Sequence, residues 1–175
     1  MKRLVTFSTS LLVIFSISAF TQNVAVIDTQ AAILQTQVAQ DAFKALEEES
    51  EYSSMVEQAQ QLQNDRQALV ETLQKDAETL SNEGIAELQK DIQEKTADLE
   101  FVLGKIQTKQ NETVQAVATQ LNPAMMQIIN VLIVAKKIQL LLGADKALYF
   151  DGSVSITEQV TDALDGAAAA EPESN

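Results

Sequence analysis

Along the middle of the chain, apolar residues recur at alternating steps of three and four, the mark of a helix that buries one narrow stripe. Tyr52, Ala59, Arg66, Leu73 and Leu80 form one seven-residue series, and Met55, Leu62, Leu69 and Asp76 form a second, three positions later. The pattern then meets Ser81-Asn82-Glu83-Gly84, a polar turn signal, and resumes as Ile85, Leu88, Ile92, Lys95, Leu99, Val102, Ile106 and Lys109. Two seams joined by a short turn with a glycine predict an antiparallel helical hairpin. Neither proline nor glycine interrupts residues 29–80. The first limb is therefore expected to open with Thr29 as N-cap and to run about 75 Å if wholly helical, too long to fold back into a compact domain. It must project. Arg66, Asp76, Lys95 and Lys109 occupy seam positions where a tight zipper carries Leu or Ile. The pairing is either a narrow seam needing few apolar residues or an arm loose enough to splay around a bulky client.

Residues 24–28 (VAVID) read as a short buried strand. Pro123 should kink or restart the return helix, since proline removes a backbone hydrogen bond. Residues 124–142 are the most apolar stretch beyond residue 21, but Asn130, Lys136 and Lys137 interrupt it and make it a poor membrane span. Met125, Ile128, Ile129, Leu132 and Ile133 are expected to pack as a helix against a core. Residues 138–142 are a strand candidate, 143–146 a turn and 147–150 a second strand. Ser155 and Glu158 fit a capping box opening a helix through Leu164, stopped by Gly166. The tail at 167–175 reads as disordered.

The fold expected is mainly α with a small β base (α+β): a long antiparallel coiled-coil hairpin projecting from a small strand-containing oligomerisation body. The base takes residues 22–40 and 122–166, and the arm residues 41–121, with its tip near 81–84. A strand patch this small buries little surface alone, which favours oligomerisation through the base. Val24, Val26, Leu140, Leu142, Leu148 and Phe150 are the candidate body residues. Val56, Val70 and Phe101, apolar but off the seam, are candidate client contacts.

Residues 1–21 add a compartment. Lys2 and Arg3 precede a modestly apolar run, the pattern of a secretory signal peptide cleaved after Ala19 or Thr21. The rival is an N-terminal anchor, but about 17 residues is marginal for a span. Removal would leave no stable membrane insertion. No cysteine follows to carry a lipid.

Charge and composition then exclude whole classes. Twelve Lys and Arg against 25 Asp and Glu give a net charge of −13. That argues against nucleic acid and anionic lipid as partners, since both need a basic face. Histidine and cysteine are both absent, which removes the usual zinc ligand sets and the Ser-His and Cys-His pairs. Carboxylates are plentiful but lie on exposed helix faces, without the burial that tunes a catalytic pKa. No catalytic, cofactor-binding or metal-binding residue is assigned, and the chain does not read as an enzyme.

Several segments carry a likeness. The opening VAVIDTQAAIL, the hairpin tip QKDAETLSNEGIAELQKDIQEK, the bend at Leu121-Asn122-Pro123 and the ending ALYFDGSVSITEQVTDAL stand in this order. Within the ending, the Ile156-Thr157-Glu158 step into the last helix is the most specific piece. In these the chain resembles the Skp/OmpH family of periplasmic chaperones for outer-membrane proteins. The resemblance implies a homotrimer whose strands join in a central body, with three arms around a cavity. It implies unfolded outer-membrane β-barrel proteins as clients, held in the periplasm without ATP. One departure stands out. Well-known members have basic arms, whereas residues 41–121 here carry 17 acidic and seven basic residues, a net of −10. A lipopolysaccharide site is therefore not carried over. The alternative is a structural coiled-coil protein that bridges specific folded partners in the envelope.

Overall fold

The computed structural model describes residues 23–170; the leader read at 1–21 lies outside them, as do residues 171–175. Strand β1, Val24–Ile27, is the centre of the base. It pairs in parallel with β2, Leu140–Gly143, in the register Val24 to Leu140 through Ile27 to Gly143. Its other edge bridges to Ser155, and the Ile156 N–H donates to the Val26 carbonyl at 2.9 Å. Covered on both sides, Ala25, Val26 and Ile27 are 4% exposed or less.

Helix α1 spans Thr29–Leu34, α2 Gln37–Glu48, α3 Ser50–Asp76, α4 Asn82–Lys136 and α5 Thr157–Ala170. The core of the base joins Ala32, Ile33 and Ala39 to Val117, Leu121, Met125 and Ile129 of α4 and to Val160 and Leu164 of α5. A second cluster runs up the arm through Leu46, Tyr52, Met55, Ala59 and Leu62, facing Leu99 and Val102.

The first limb is three helices rather than one. Its N-cap is Asp28, one residue earlier than Thr29, whose carboxylate accepts from the Ala31 N–H at 2.8 Å. The first break falls at Gln35-Thr36. The buried Thr36 hydroxyl donates to the Ile33 carbonyl at 2.7 Å and accepts from the Ala39 N–H at 3.2 Å. A hydroxyl that caps one helix and starts the next competes with the helical ladder. The second break is Glu49, extended at φ −67°, ψ 123°, with no side-chain cap.

Three further expectations change. Helix α4 runs through Pro123 without restarting. The flanking Leu121 and Met125 are buried while Pro123 itself is exposed, so the missing bond opens toward water and core packing on either side holds the axis. Residues 147–150 form no strand. A tight turn at Ala144–Lys146 carries them off β2, and Leu148 stands fully exposed. Helix α5 passes through Gly166 and four alanines to Ala170, so 167–170 are helical instead of tail. Alanine is the best helix former and offsets the roughly 1 kcal/mol a mid-helix glycine costs. At the start of α5 the Ser155 hydroxyl accepts from the Thr157 N–H at 3.4 Å, and the Thr157 hydroxyl in turn accepts from the Asp28 N–H at 2.9 Å.

Every heptad position in the two seams is buried or half-buried except Asp76, which ends α3. Two of the charged seam residues find partners across the arm. Lys95 lies 3.8 Å from Asp65, and Lys109 reaches Glu49 and Glu51. Arg66 differs: its Nε is buried without a hydrogen-bond partner. Replacing it with leucine removes an unmet donor from an apolar seam and should stabilise the arm by about 1 kcal/mol. Chemical denaturation of R66L against the parent checks this; a loss of stability would mean the guanidinium contributes more than it costs.

Candidate functional site

Two surfaces stand out, one at the root of the arm and one on the outside of the base. The root is organised by the break at Glu49. Glutamates 47, 48, 49 and 51 crowd one short stretch, and like charges at such spacing disfavour a continuous helix. Lys109, from α4, answers two of them, at 3.3 Å to Glu49 and 3.2 Å to Glu51. Beside it the Gln110 amide donates to the Tyr52 hydroxyl at 2.8 Å. The hydrogen bond to Glu51, then that to Glu49, holds the Lys109 amine above its usual 10.5. A raised amine pKa means the pairing contributes fully below the ordinary value and is lost as pH climbs through the raised one. An NMR titration following the Lys109 Nζ should therefore give a midpoint above 10.5. A midpoint at or below that value would show the clamp does not hold in solution.

Next to this clamp an open groove of about 440 Å³ runs between α3 and α4, with Met55, Phe101, Gly104 and Thr108 among its lining residues. Phe101 is 64% exposed and Val56 44% exposed, whereas Val70 is half-buried farther along α3. Of the three candidate contacts, Phe101 alone lines this groove. The Lys105 amine sits over the Phe101 ring, 4.6 Å from its centroid.

On the base, the six candidate body residues divide. Val26 is part of the chain's own core, and Val24 and Leu142 are half-buried. Leu140, Leu148 and Phe150 are exposed, and Tyr149 with them. The end of α4 adds a surface that sequence reading missed: Met126, Val131 and Val134 point outward at 53%, 65% and 79% exposure. The signal was present. A helix apolar on all faces asks to be covered on all faces, and within the chain the core covers the side through Leu121, Met125 and Ile129, with Ile128, Leu132 and Ile133 half-buried beside it. An 18-residue window of α4 is long and apolar enough to cross a membrane, and 22% of it is buried. Among the described residues no cluster of three or more acidic side chains is placed to hold a metal ion.

Among solved structures, the chain is similar to a crystal structure from Caulobacter crescentus assigned as an OmpH-like outer membrane chaperone. The two are 15% identical over 95% of this chain and 92% of that one, with a TM-score of 0.44. No curated protein matches. The family model for "Outer membrane protein (OmpH-like)" matches residues 23–164, from the residue before β1 through both limbs of the arm to Leu164 in α5. The chain belongs to the OmpH-like family.

Proposed function

We propose that this protein is an ATP-independent periplasmic holdase, which binds unfolded outer-membrane proteins and prevents their aggregation without altering them chemically. The observation that carries this reading is the unbroken family match across base and arm together, because holding requires both. The base supplies assembly and the arm supplies reach. Three copies joined through the base would cover Val131, Val134, Leu140 and Leu148, large side chains that a lone chain leaves wet. Their arms would then enclose a space in which a client is kept from other unfolded chains. Weak apolar contacts at positions such as Val56, Val70 and Phe101 let the client leave without an energy source. The signal pattern at residues 1–21 supports export to the periplasm.

Two measurements test the proposal. Mixed with a denatured β-barrel protein, the purified protein should suppress light scattering at near-stoichiometric amounts. Native mass should be three times that of the chain. Absence of suppression would overturn the holding reading, and a monomeric mass would overturn the caged geometry.

A further inference from the structure

We propose that the groove at the arm root selects client segments in which an apolar or aromatic side chain is flanked by lysine or arginine. The inference rests on the holding function and adds a specificity to it. The groove has an apolar centre, formed by Met55 and Phe101, with Gly104 opening the space between. A Cβ added at Gly104 would meet nothing within 4 Å, so this part of the floor is clear. Glu100 and Glu112 are the first and last residues that α4 contributes to the groove lining, about 120° apart around the helix. They are separated by about 18 Å of helix. An extended chain covers that length in about five or six residues. Among the described residues neither glutamate is ion-paired; of the two lysines lining the groove, Lys109 is committed to Glu49 and Glu51 and Lys105 to the Phe101 ring.

A second observation points to the same ligand chemistry. Phe101 already receives a cation on its face, from Lys105, so the ring is oriented for cation–π contact with solvent on one side. A client lysine or arginine can take the place of Lys105 on the ring or pair with a terminal carboxylate. An acidic segment meets Glu100, Glu112 and an arm of net charge −10. The complementarity is therefore apolar in the middle and cationic at both ends.

The test uses two fluorescent peptides with the same Phe-Leu-Phe centre, flanked on both sides by lysines in one and by glutamates in the other. Anisotropy with the intact protein should show the lysine peptide binding at least about fivefold more tightly, the size expected of two exposed charge pairs. The preference should shrink in about 0.5 M salt, where such pairs are screened. It should disappear in Glu100→Gln/Glu112→Gln. Gly104→Leu, which fills the floor and favours helix, should weaken both peptides. Equal binding of the two peptides would overturn the proposal. So would a lysine preference that survives the double substitution, because the arm's general field would then be its source. Aggregation suppression by the unmodified protein is measured alongside. Suppression together with equal peptide binding removes the groove's specificity and leaves the holding function standing; no suppression removes the holding function itself.

Discussion

Leu164→Ala is expected to destabilise the base by about 3 kcal/mol, the usual cost of a leucine-sized cavity in a packed core. Leu164 is 1% exposed and comes from the last helix, yet it packs into the same cluster as Ile33 and Ala39 from the first turns of the chain. Two polar bonds register α5 on that surface. The buried Thr161 hydroxyl donates to the Ala32 carbonyl at 3.1 Å, and an Asp165 carboxylate oxygen accepts from the Gln37 N–H at 2.8 Å, capping the start of α2. Helix α5 thus holds α1 and α2 in place beneath β1. Denaturant midpoints, compared at one fixed protein concentration because assembly would shift them, should fall sharply for L164A. A change under 1 kcal/mol would mean that α5 is peripheral. Serine at Leu148, fully exposed in the single chain, makes the contrasting control: its cost should depend on protein concentration if that side chain is covered by another copy.

Val102→Asp should open the arm while sparing the base. Val102 is 3% exposed and sits in the arm cluster with Leu62 and Leu99, away from the core beneath β1. A carboxylate there is buried without a partner, which costs several kcal/mol unless the helices part. A two-helix seam has no third element to hold it, so parting is the cheaper outcome. Limited proteolysis should then cut within α3 and the facing part of α4, leaving amides of β1 and α5 protected from hydrogen exchange. Aggregation suppression should fall with the arm. Simultaneous loss of protection in the base would show that arm and base melt as one unit. Unchanged proteolysis would mean that the seam tolerates the charge by local repacking.

The arm was legible because its signal is long and one-dimensional. A seven-residue period carried over eight turns leaves little freedom, and the one exposed seam position, Asp76, lies where the helix ends. The breaks in the first limb were not legible, because neither depends on glycine or proline. Thr36 breaks the helix through a hydrogen bond to Ile33 that any threonine could make but few do. Glu49 breaks it where three neighbouring carboxylates and a lysine 60 positions away meet. The strand expected at 147–150 shows the opposite limitation. Its residue types favour a strand, but a strand needs a neighbour, and the turn after β2 takes this segment away from the only sheet in the described residues. Pro123 follows similar logic, since burial at Leu121 and Met125 outweighs the local rule. At the groove, sequence pointed to Phe101 as a contact. Glu100, Gly104 and Glu112 stand in the sequence as well, but nothing there places them beside Met55.

The parallel pairing of β1 with β2 sets an order of events during synthesis. Val24 finds Leu140, so the first strand to emerge has no mate until nearly the whole remaining chain has been made. Joining such distant segments directly would carry a large loop-closure cost and a slow rate. The hairpin changes the arithmetic. Once α3 and α4 have zipped from Gly84 downward, the ends of the arm are held side by side, and the loop left to close is short. The seam therefore acts as a folding template for the base. An arm weakened along its length should delay the appearance of native base even where the final base is unaltered.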